Sequence, residues 1–69
     1  MSEEKEKLVK RIEHWAEHND EHTTRYVESA KEAKTIGSDG ASLELAKAAE
    51  YGRQVSTHLR AALKKLNEG

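Results

Sequence analysis

A single breaker divides this chain. The segment Thr35-Ile36-Gly37-Ser38-Asp39-Gly40 holds two of the four glycines, and no proline interrupts the sequence on either side of it. Gly37 suits the left-handed position just past a helix end, and Ser38 or Asp39 suits the N-cap of the next helix. On both sides apolar residues recur in steps of three and four, the period of a helix that buries one face. Two long helices joined by so short a connection turn back on each other, so the fold class is all-α, an antiparallel two-helix hairpin. The first helix is expected over about residues 3–34, the turn over 35–40 and the second helix over about 41–66, in one domain covering residues 1–69.

Ser2 can cap the first helix, with Glu3 and Glu4 at the positive end of its dipole and Lys31 and Lys34 at the negative end. Its apolar seam reads Leu8, Ile12, Trp15, Asn19, His22, Tyr26, Ser29 and Ala33, a heptad pattern with two polar members in the middle. The second seam reads Leu45, Ala48, Gly52, Val55, Leu59, Ala62 and Leu66, with Leu43, Ala49 and Leu63 beside it. A turn near Ser38 makes facing residue numbers sum to about 77, since both helices rise ~1.5 Å per residue. Tyr26 is then expected opposite Gly52, Trp15 opposite Ala62 and His22 opposite Val55, large against small. His18 and Asn19 come level with His58.

Each helix of a lone hairpin buries one stripe, so self-association is expected, as a homodimer forming a four-helix bundle. Docking onto another helical protein is the other way to cover the same surface. Twelve basic residues against thirteen acidic ones give a net charge of -1, which offers no electrostatic case for nucleic acid or an anionic membrane. There is no apolar run near the ~20 residues of a membrane span and no basic, apolar leader at the N-terminus. The chain therefore reads as a complete cytoplasmic protein.

The chemistry-bearing segment is His14-Trp15-Ala16-Glu17-His18-Asn19-Asp20-Glu21-His22. Residues four apart on a helix are rotated by ~40° and separated by ~6 Å along the axis, so the three imidazoles form a ladder. Imidazole is a ligand for zinc, nickel and copper and changes charge near neutral pH. With no cysteine in the chain, a metal must be held by imidazole, carboxylate, backbone or water. Either adjacent pair can chelate one ion, but His14 and His22 lie ~12 Å apart, too far to share one. The leading site is His18, His22 and His58, completed by Glu21, a dimer mate or water. A second, weaker one involves His14 and Glu17. Other roles stay open for the same residues. His14 suits a solvated face, His22 suits a core histidine bonded to Asn19, Tyr26 or a partner, and Asn19 can fix register as buried asparagine does in coiled coils. Two overlapping copies of His-x-x-Glu-His match the inverted zinc-peptidase spacing. A 69-residue hairpin offers neither the cleft nor the further ligands such enzymes need, and there is no catalytic constellation or Gly-rich phosphate loop. No enzymatic activity is expected.

The segment His14-Trp15-x-x-His18-Asn19-x-x-His22 followed by Tyr26 resembles a motif of small uncharacterised helical proteins of archaea and anaerobic bacteria, whose pattern is similar to His-Trp-Ile-Glu-His-Asn-x-x-His. Ala16 stands in place of the isoleucine, which removes an apolar contact but no ligand. The resemblance implies a helical hairpin and a shared role for His14, His18, Asn19 and His22, and it supplies no activity. The functional expectation is binding of a divalent transition metal (zinc, nickel or cobalt) for storage, delivery or sensing. The alternative is a helical interaction module in which the His/Asn layer is structural.

Overall fold

A computed structural model describes residues 2–68. It contains α1, Glu3–Thr35, and α2, Asp39–Glu68, packed against each other as an antiparallel hairpin, with no strand among the described residues. The hairpin is a rod measuring 54 × 14 × 10 Å. No helix among the described residues is long and apolar enough to cross a membrane.

Local chemistry sets the ends of both helices. The Ser2 side chain accepts from the Lys5 N–H at 3.1 Å, and Glu3, Glu4 and Glu6 fill the first turn of α1, where carboxylates meet the exposed N–H groups of the dipole. At the other end the Ser38 N–H donates to the Ala33 carbonyl at 2.8 Å and the Gly37 N–H donates to Lys34 at 3.0 Å. This 6→1 and 5→2 pair is the Schellman motif, which needs a left-handed residue at its centre, and Gly37 supplies it with φ +88°. The Ser38 carbonyl then accepts from the Ser42 N–H at 3.0 Å. The connection is thus only residues 36–38, and α2 starts two residues earlier and ends two later than the periodicity indicates.

The helices meet along small side chains. In α1, Ala16, Thr23 and Ala30 are buried seven residues apart, with Ile12 and Ala33 buried beside them. In α2 the buried residues are Ala49, Gly52 and Ser56, with Leu45, Leu59, Leu63 and Leu66 half-buried. Each helix therefore contributes two heptad columns: 9/16/23/30 and 12/19/26/33 from α1, 42/49/56/63 and 45/52/59/66 from α2. The second column of each pair belongs to the expected seam; of the first, only Ala49 and Leu63 were expected, beside it. The columns 8/15/22/29 and 48/55/62 were expected inside, yet Trp15, His22, Val55 and Ala62 are exposed. The physical reason is distance. A Cβ on Gly52 would overlap Thr23 Oγ1, so the backbones approach as closely as two helices of small residues allow, and indole or isopropyl groups cannot fit between them. Thr23, not Tyr26, lies opposite Gly52. Asn19 and Asp20 both reach Ser56, which sets facing numbers to sum to about 75–76 rather than 77.

Candidate metal-binding histidine ladder

The roll of α1 decides where its histidines point, and a polar cluster on the same helical turn fixes that roll. Asn19 Nδ2 donates to the Gly52 carbonyl at 2.6 Å and to Ser56 Oγ at 2.8 Å. Ser56 Oγ donates in turn to Asp20 Oδ1 at 2.5 Å. Arg60 grips the same carboxylate with both guanidinium nitrogens, at 2.6 Å to Oδ2 and 3.3 Å to Oδ1. Gly52 has no side chain to keep Asn19 from its carbonyl, so the bare backbone of α2 and the amide of α1 are complementary. With Asn19 and Asp20 turned toward α2, His18 and His22 on either side of them in sequence are turned away.

Arg60, and secondarily the Ser56 hydroxyl, hold the Asp20 carboxyl below its usual range, while partial desolvation opposes them. A carboxylate with a depressed folded pKa stabilises fully above its unfolded value, about 3.9, and loses that contribution as pH falls through the folded value. Acid unfolding below about pH 4 should therefore be less steep in Asp20→Asn, which keeps an oxygen for Ser56 and Arg60 but cannot titrate. Circular-dichroism melts at pH 7, 4 and 2.5 check this, and equal slopes for the two proteins would refute it.

The ladder itself is exposed from end to end. His14, His18 and His22 are all solvent-accessible. The His14 and His18 ring centroids are 4.4 Å apart, and those of His18 and His22 are 6.2 Å apart. Tyr26 continues the series, its ring nearly parallel to that of His22 at 6.4 Å. The closest pair is thus His14–His18, the member given less weight from sequence. Two imidazoles bound to one tetrahedral ion at ~2.0–2.1 Å have centroids roughly 5 Å apart, a value the two observed spacings bracket. Small rotamer changes would let either pair chelate.

His58 is exposed on α2. By helical geometry both His18 and His58 point roughly 130–140° away from the contact between the helices, so they diverge within one chain. Glu17 and Glu21 are exposed as well, and the Glu17 charge acts on Arg60, on the flank opposite His22. No group of three or more histidine and carboxylate side chains converges on one point among the described residues. The hairpin alone brings together histidine pairs, and it leaves His58, Glu17 and Glu21 apart from a common centre.

Sequence reasoning missed Asp20, Ser56 and Arg60. The available signal was that two polar residues, Asn19 and Ser56, stand at the same level of otherwise small or apolar columns, where each needs a partner.

Comparison with known proteins gives a family and no activity. The model of a family described as a domain of unknown function (DUF8180) matches residues 8–66, which include the whole ladder and the polar cluster. No curated protein and no solved structure matches the chain.

Proposed function

We propose, for a chain that belongs to this family of unknown function, that the hairpin is a small cytoplasmic, non-enzymatic protein that binds a divalent transition metal through its histidine ladder, for storage, delivery or sensing. Zinc, nickel and cobalt suit an imidazole site with room for carboxylate or water. The observation that carries this reading is the pairing of exposed rings at 4.4 and 6.2 Å along one helix face. The motif His14-Trp15-x-x-His18-Asn19-x-x-His22 lies inside the matched region. On this reading it is the functional element of a prokaryotic family, with Asn19 setting the direction in which the histidines project.

Calorimetric titration of metal-free protein with zinc, nickel and cobalt near neutral pH tests it. Saturation at a defined stoichiometry with micromolar or tighter affinity is expected for at least one metal. His18 belongs to both ring pairs, so His18→Ala should weaken that metal by about tenfold or more, ~1.4 kcal/mol per tenfold, without loss of helicity. Unsaturable heats for all three metals would sink the reading, as would unchanged affinity in the His18→Ala/His22→Ala double variant.

The second reading is an interaction module, favoured by the exposure of Trp15 (49%), Val55 (48%) and Tyr51 (65%). Asn19 supports it too, since its amide hydrogens go to α2. This reading expects no metal affinity beyond that of scattered surface histidines, and a change of solution mass on His22→Leu.

A further inference from the structure

We infer that the partly exposed heptad columns 8/15/22/29 of α1 and 48/55/62 of α2 are covered by a second copy of this chain, and that His58 of the second copy completes a transition-metal site with His18 and His22. The site rests on the metal-binding reading above and adds what that reading lacks, a third protein ligand and a reason for His58.

The columns 8/15/22/29 and 48/55/62, in which Trp15, His22, Val55 and Ala62 are exposed and Leu8, Ser29 and Ala48 are half-buried, lie on the same side of the hairpin. Each sits roughly a quarter turn from the helix contact, in the direction of lower helical angle. In an antiparallel pair those two directions coincide. Two columns per helix are enough for a two-stranded contact, whereas a third is the pattern of helices that pack against two neighbours in a bundle. The monomer leaves that third column only partly covered, and among the described residues its core holds no large side chain that is fully buried. One whole side of the rod, 54 by 14 Å, outlines ~750 Å², so a copy lying along its full length would cover close to the ~800 Å² per partner of a stable dimer. A second copy is therefore an occupant of the right size and shape.

One arrangement makes large residues meet small ones. A two-fold axis parallel to the rod places α1 of one copy beside α2 of the other, antiparallel and at the same level as inside the hairpin. Trp15 then comes within two residues of the level of Ala62, His22 of Val55 and Ser29 of Ala48. In this pairing His18 and His58 of the second copy both flank the new contact on its outer side, each roughly 40–50° from the line joining the two helices. Their numbers sum to 76, matching the register that Asn19, Asp20 and Ser56 set inside the hairpin. Helical side chains lean toward their own N-termini, which carries His58 of the second copy toward the level of His22. Divergence within one chain becomes convergence between two, and symmetry repeats the site.

Complementation tests this directly. His58→Ala and His18→Ala/His22→Ala each remove one side of the site, and all three positions are exposed, so both variants should keep wild-type helicity. Wild-type protein should sediment as a dimer, and Trp15→Glu, which removes none of the three histidines, should sediment as a monomer. Each histidine variant alone should bind zinc, nickel or cobalt at least tenfold more weakly than wild type. An equal mixture, equilibrated to exchange chains, should regain tight binding at about a quarter of the wild-type capacity, because half of the pairs are mixed and each mixed pair holds one intact site. If wild type binds tightly but the mixture binds no better than its components, the site lies within one chain and this inference falls while metal binding stands. If wild type fails to saturate with any of the three metals, metal binding itself falls. A wild-type monomer at the concentration of tight binding would also overturn the inference.

Discussion

Gly52→Ala is expected to lower the midpoint of thermal unfolding by about 5–15 °C in the wild-type background and to raise it by about 4–8 °C in a Thr23→Ala background. Alanine is the better helix former by roughly 1 kcal/mol, so on propensity alone the substitution should stabilise α2. A Cβ at this position would overlap Thr23 Oγ1 and meet the Thr23 Cβ and Cγ2 at 3.4 and 3.6 Å. Threonine is stiff in a helix, so the helices must move apart or the side chain must leave its rotamer, at a cost of ~1–3 kcal/mol. Moving apart also lengthens the bond from Asn19 to the Gly52 carbonyl. Thr23→Ala removes the obstacle and leaves a methyl in ordinary contact. It removes a further fault as well. The other threonines, Thr24, Thr35 and Thr57, donate to the carbonyl four residues back, whereas the buried Thr23 hydroxyl has no partner among the described residues, and an unpaired buried hydroxyl destabilises by ~1–3 kcal/mol. The double-mutant cycle should show a coupling of roughly 2–3 kcal/mol. Additive effects would mean that the close approach at Gly52 is not where the helices are held.

Asn19→Asp should be the most damaging single change of one atom type for another. The wild-type amide gives one hydrogen to a backbone carbonyl and the other to Ser56, and Ser56 has already given its own hydrogen to Asp20. A carboxylate accepts only, so it would face the Gly52 carbonyl oxygen with no hydrogen between them and stand one residue from Asp20. Asn19→Ala should cost about 2–3 kcal/mol through the lost bonds. Asn19→Asp should cost at least ~1 kcal/mol more at neutral pH, because a half-buried charge is left unpaired. Urea unfolding followed at 222 nm measures both. Equal midpoints for the two variants would show that water, not the protein, serves the Asn19 site.

The hairpin was legible because its determinants are local. Gly37 after a lysine-bearing helix end, Ser2 before a run of glutamates and the absence of proline each act within a few residues, and they define both helices and the turn. The ladder was legible for the same reason, since positions four apart on a helix are neighbours whatever lies across from them. The roll of the helices was not. Apolar size favours Trp15 and Val55 over Ala16 and Ser56 as core, but close contact between backbones selects against bulk, and only Gly52 in α2 marked where that contact falls. The columns 12/19/26/33 and 45/52/59/66 survived because they border both seams. The error in roll carried over to His58, whose distance from His18 depends on which way each helix faces. The Asp20–Arg60 pair was hidden differently: twelve basic residues offered twelve candidate partners, and only the roll singles out one.

The small-residue contact also shapes how the fold responds to temperature. Unfolding a hairpin whose buried residues are mostly alanine, glycine, serine and threonine, with Ile12 the one large exception among the described residues, exposes less apolar surface than opening a seam of large side chains, and it is apolar hydration that raises the heat capacity of the unfolded chain. The enthalpy and entropy of opening such a seam are expected to change more slowly with temperature than those of a large-residue core, for a flatter stability curve. Further curvature would enter once the indole, phenol and isopropyl groups that the seam leaves outside were covered. A chain built this way separates two jobs that larger domains combine, with polar fit between close backbones choosing the shape and the bulky side chains kept for whatever comes to cover them.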